Sequence, residues 1–67
     1  MNKDRDEIRE EVREELDDAG IFIVHASKVQ KQKYFDVLED MRDRGEVRRG
    51  DEVEDQSFTY PMNVYVP

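Results

Sequence analysis

The sequence predicts one α+β domain, with two helices packed on a small, mainly antiparallel sheet in the order α-β-α-β-β. Three observations lead there. Apolar residues recur at helical spacing in two highly charged stretches. A short β-branched run separates those stretches, and residues 58–66 alternate between apolar and polar, which is the period of a strand. With 67 residues the chain has room for a single domain. A domain of that size buries only about 60% of its unfolded surface and is marginal alone. The chain has no Cys, so neither a disulfide nor a thiolate metal site adds stability. Self-association or docking on a partner is an expected source of what is missing.

Residues 4–18, DRDEIREEVREELDD, read as the first helix. Asp4 takes the N-cap position and Glu7, three residues on, completes a capping box. Ile8, Val12 and Leu16 repeat every four residues, and Ala19 extends this narrow apolar stripe. The pairs Asp6–Arg9 and Glu10–Arg13 stand at i,i+3, each worth about 0.2–0.5 kcal/mol. Gly20 stands where a helix end wants a left-handed residue. The remaining charged face is either solvated or offered to a basic partner. Residues 21–25, IFIVH, are too short for a helix and rich in β-branched side chains. They predict a strand buried on both faces.

The stretch from 27 to 49, SKVQKQKYFDVLEDMRDRGEVRR, organises the rest of the chain. Ser27-Lys28-Val29-Gln30 matches the S-x-x-Q capping box and predicts a helix start at Ser27. Tyr34, Phe35, Val37, Leu38 and Met41 give that helix an apolar face. Arg42 and Arg44 suit the negative end of its dipole, and Gly45 is the expected stop. Residues 46–49, EVRR, predict a short strand with Val47 inward, and residues 50–57, GDEVEDQS, an acidic turn or loop. In the last stretch Phe58, Tyr60, Met62, Val64 and Val66 share one face, with Thr59, Pro61, Asn63 and Tyr65 on the other. Pro61 cannot donate to a ladder, which predicts an edge strand near it. EVRR and FTYPMNVYV are expected to pair as a hairpin across the acidic loop.

Charged residues (43%) outnumber apolar ones (36%), a composition approaching that of disordered chains; the clustering of the apolar residues is what points to a core. No run is long and apolar enough for a membrane span, and the acidic, polar start MNKDRDEIREE resembles no signal or transit peptide. An intracellular (cytoplasmic) or virion location is expected, without a membrane partner. The net charge of −7 is unevenly spread: residues 1–18 carry −5, residues 19–35 carry +3 and residues 36–67 carry −5. Arg outnumbers Lys seven to four among abundant acids, a habit of halophilic archaeal proteins and their viruses. In that setting an acidic surface serves solvation.

Catalytic and metal signatures are missing from the sequence. His25 is the single histidine, and Ser27 is better used as a cap than as its nucleophile. The run Asp51-Glu52-Val53-Glu54-Asp55 lacks the spacing and glycine of an EF-hand loop. Gly20, Gly45 and Gly50 each read as turn or cap glycines, so no phosphate loop is formed. No cofactor is expected, and an enzyme is the least supported class.

From Tyr34 to Val66 the chain resembles the second half of a winged-helix domain. Leu38, Met41, Gly45 and Val47 fall on that family's Leu-x-x-Met/Leu-x-x-x-Gly-x-Val helix stop, and Asn63-Val64-Tyr65 is similar to its returning wing strand. The resemblance covers about half the chain. It departs from the family between Gly20 and Ser27, where there is no room for the helix that precedes a recognition helix unless HASKVQ forms a stub. The resemblance implies a DNA-binding regulator, possible only as a reduced winged helix. Lys28, Lys31 and Lys33 would neutralise phosphates, Gln30 and Gln32 would read base edges, and Tyr34 would touch the backbone. Arg48 and Arg49 would sit at the base of the wing, among the acids Asp51, Glu52, Glu54 and Asp55. The plainer alternative is that these lysines keep one helix end soluble.

Two function classes follow. The first is a small non-enzymatic interaction protein, of a viral or archaeal accessory or structural kind, that docks on a larger assembly or self-associates. Phe58, Tyr60, Met62 and Tyr65 are its candidate interface. The second is the DNA-binding regulator.

Overall fold

A computed structural model of the chain describes residues 2–53 and 60–67. Its order is α1 (Arg5–Ala19), β1 (Phe22–Ile23), α2 (Lys31–Asp43), β2 (Arg48–Arg49), a short 3-10 turn (Gly50–Glu52) and β3 (Val64–Val66). The class is α+β, and the three strands form an antiparallel sheet ordered β1-β3-β2. No helix among the described residues is long and apolar enough to cross a membrane.

The first helix forms as its local signals dictate. The Asp4 carboxylate accepts from the Glu7 N–H at 2.8 Å, and the Glu7 side chain accepts from the Asp4 N–H. Gly20 closes the helix at φ 73°, its N–H donating to the Leu16 carbonyl. The end of α2 is equally local. Gly45 sits at φ 78°, its N–H donates to the Arg42 carbonyl, and the Glu46 N–H donates to the Met41 carbonyl. Together these two bonds make a Schellman motif.

Three expectations need correction. The second helix begins at Lys31, not Ser27. The Ser27 capping box does not form, because the chain makes turns at 26–27 and 29–30 and the Lys28 N–H donates to the His25 carbonyl. Gln30 enters the helix at φ 59° and sends its side chain to the Lys3 main chain. Second, β1 is not covered on both faces. Only one of its faces meets the core, so Phe22 and Val24 are buried while Ile23, on the opposite face, is 39% exposed; β1 is also an outer strand. Third, the last strand is the central one, not an edge, and all three of its residues are buried. It is also shorter than the alternation suggests, since Pro61 lies outside it and residues 62–63 form a turn. Phe58 and Thr59 lie outside the described residues.

The pairing of β2 with β3 agrees with the expected hairpin, Arg48 standing opposite Val66 and Arg49 opposite Tyr65. Ile8 and Val12 from α1, Phe22 and Val24 beside β1, Tyr34, Val37, Leu38 and Met41 from α2, Val47 and Tyr65 form one core. Leu16 and Phe35 pack at its margin. Two ion pairs advance together by one turn along both helices, Arg5–Asp36 at 3.8 Å and Arg9–Asp40 at 3.5 Å.

Candidate functional site

The sheet has two outer strands, and they are not equivalent. Along β2 the edge residues are Arg48 and Arg49. Arg48 donates to the Pro67 carbonyl at 3.1 Å and Arg49 to Asp51 at 2.7 Å. Charge on an edge strand discourages pairing with another chain. Along β1 the corresponding residue is Ile23, apolar and partly exposed. Val24 and Asn63 are bonded to each other, the Val24 N–H donating to the Asn63 carbonyl at 3.0 Å and the Asn63 amide donating to the Val24 carbonyl at 2.9 Å. Ile23 stands opposite Val64, one position away. In an antiparallel ladder bonded and non-bonded pairs alternate, so the Ile23 N–H and C=O point outward, away from β3.

A groove of about 290 Å³ runs along this edge. Ile21, Ile23 and His25 line the strand side; Glu11, Glu15 and Lys28 line the other. Its rim is held by contacts among its side chains. Phe22 and Tyr34 stack at 5.9 Å, and the Lys28 ammonium sits 4.5 Å from the centre of the Tyr34 ring. That is within the range of a cation–π contact. Glu11 ties the assembly together. It accepts from Lys3 and from the Tyr34 hydroxyl, the latter at 2.5 Å, and pairs with Lys28 at 3.5 Å. Burial works to raise the Glu11 carboxyl, but the donors Lys3 and Tyr34 and the charge of Lys28 outweigh it and hold the group below its ordinary value.

One pH prediction arises here. The folded pKa of Glu11 is depressed, so its contribution to stability is present above the ordinary value of 4.5. It fades as the pH falls through the folded value. Thermal melts should therefore show a loss in acid that Glu11→Gln removes. The variant itself should be less stable at neutral pH by about 1–2 kcal/mol. Equal acid sensitivity in both proteins would exclude Glu11 as the cause.

The basic start of α2 is largely engaged. Gln30 is bonded to Lys3, and Gln32 donates to Asp36 at 3.1 Å. Tyr34 is a core residue, its hydroxyl held by Glu11. Lys28, Arg48 and Arg49 have the partners given above. Lys31 and Lys33 carry no ion pair among the described residues, and the first turn of α2 contains no acid. Of the candidate interface residues, Met62 is 67% exposed and Tyr60 is half-buried. Tyr65 is in the core and donates to Glu39 at 2.7 Å, and Phe58 lies outside the described residues.

Glu11 and Ile23 escape sequence reasoning for different reasons. Glu11 is one of nine acids before residue 19, and nothing local separates it from Glu10 or Glu14. Ile23 lies inside an apolar run whose position in the sheet depends on a partner 41 residues further on, Val64. No protein-family model matches the chain, and neither a curated protein nor a solved structure matches it.

Proposed function

We propose that this protein is a small non-enzymatic interaction protein that docks on a larger assembly or associates with itself, in the manner of a viral or archaeal accessory or structural protein. One observation carries it: the outer edge of β1 has an apolar, partly exposed Ile23 with outward main-chain groups and no partner strand among the described residues. Met62, the residue before Asn63, is a further exposed apolar side chain. An unguarded strand edge is a template for β-augmentation, in which main-chain bonds give affinity and side-chain pockets give specificity. Light scattering across a concentration series, paired with affinity capture from a source extract, tests this function. Association of either kind is expected. A strict monomer without any partner would count against it.

A second function, a winged-helix-like DNA-binding regulator, is favoured by Lys31 and Lys33, which have no ion pair among the described residues. A salt titration of DNA binding checks it. Binding should weaken steeply with salt, and changing both lysines to Glu should weaken it at low salt and flatten that salt dependence. Absence of binding at low salt excludes it.

A further inference from the structure

We infer that the occupant of the β1 edge is a second copy of this chain, paired antiparallel through Ile23 about a twofold axis. This rests on the interaction function proposed above and names its partner. Three features of the edge are self-complementary. The outward N–H and C=O belong to the same residue, Ile23, so two copies facing each other exchange both bonds at the axis. The groove holds an acid at one end and, at the other, a lysine that already pairs with Glu11 at 3.5 Å and keeps N–H donors for a second carboxylate. Glu15, near the end of α1 where the chain turns into β1, has no ion pair among the described residues, and Lys28 follows β1 at the other end. A twofold through Ile23 brings Glu15 of one copy towards Lys28 of the other, twice per dimer. Across that axis Ile23 would meet its own counterpart, and Ile21 of each copy would stand opposite His25 of the other.

Self-pairing also answers the shortage of buried surface in so short a chain. The other free edge does not compete, because Arg48 and Arg49 would face arginines from a second copy. The contact is short, and the net charge of −7 on each copy opposes association. The dimer is accordingly a weak one, forming between roughly 10 μM and 1 mM.

Sedimentation equilibrium across that range provides the test, with circular dichroism to verify that each variant is folded. Wild-type protein should double in mass. Ile23→Lys, on a partly exposed side chain, should raise the dissociation constant about tenfold or more. Glu15→Lys, on the helix surface, should raise it by a smaller factor and keeps the test alive if Ile23→Lys misfolds. Arg48→Gln should leave it unchanged. Wild-type protein that stays monomeric overturns the inference; if that monomer captures another protein, the interaction function stands and only the second copy is removed. A dimer that survives both Ile23→Lys and Glu15→Lys overturns it as well, because a different surface must hold it.

Discussion

Tyr65→Ala is expected to leave the protein unfolded at room temperature. Tyr65 is 1% exposed and sits in the middle of the central strand, opposite Phe22 on one side and Arg49 on the other. Removing a buried aromatic side chain costs about 3–5 kcal/mol. A core in a chain of this length rarely supplies more than about 3–5 kcal/mol in total. The two numbers cancel, so little folded protein should remain by circular dichroism. Tyr65→Phe separates packing from hydrogen bonding. It keeps the ring and deletes only the donor to Glu39, which retains Arg42 at 3.2 Å. The expected loss is about 1 kcal/mol at neutral pH. Burial, aided by the neighbouring Glu39 carboxylate, pushes the Tyr65 phenol far above its ordinary value. A raised folded pKa stabilises below the unfolded value of about 10 and is lost as the pH rises through the folded one. The wild type should therefore lose stability in alkali more steeply than Tyr65→Phe, read from urea melts on either side of pH 10.

Gly50→Val should be the next most damaging change. A Cβ at this position would stand 2.6 Å from the Tyr60 Cβ and 3.0 Å from the Val64 carbonyl oxygen. Neither is the loose end of a side chain. One belongs to the stem of Tyr60 and the other to the central strand, so relief requires the backbone to move. Overpacking of this kind costs about 1–3 kcal/mol or more. Gly50→Ala should already show much of the loss, which a shifted urea midpoint with an unchanged slope would register. At Gly20 and Gly45 the outcome differs in origin. There a Cβ meets open space, and substitution is penalised through the positive φ alone. An unaltered midpoint in Gly50→Ala would mean that Tyr60 and Val64 do not close on this residue.

What was legible in the sequence is what is decided within a few residues. The Asp4–Glu7 box and the glycine stops at Gly20 and Gly45 involve neighbours three to five positions apart, and all three form. The core of α2 was legible too, because Tyr34, Val37, Leu38 and Met41 repeat at helical spacing and are buried together. The Ser27 box was equally local in form and still failed. Gln30, its second half, is held by Lys3 from across the molecule. Strand order could not be read, because it depends on which segments meet after the chain reverses. The alternation from 58 to 66 announces a strand without saying whether it is central, and β3 acquires cover on both sides from the core and from the 3-10 turn against which it packs. Gly50 shows the same limit. It looks like a turn glycine, yet its role is close approach to Tyr60 and Val64. The candidate site inherits these limits. The basic cluster was visible as composition, and Asp36 and Asp51 lie only four and two residues from Gln32 and Arg49, whereas Glu11 reaches Lys28 across 17 residues through the fold.

The edge of β1 is the central claim, and amide hydrogen exchange at Ile23 tests it most directly. In dilute solution the Ile23 amide should exchange fast between a slower Phe22 and a slower Val24, since it alone points away from β3. At concentrations where the protein associates, the same amide should become protected while the exposed β2 edge stays unchanged. An Ile23 amide whose exchange rate does not respond to association, or which is already protected in the dilute monomer, would contradict the account.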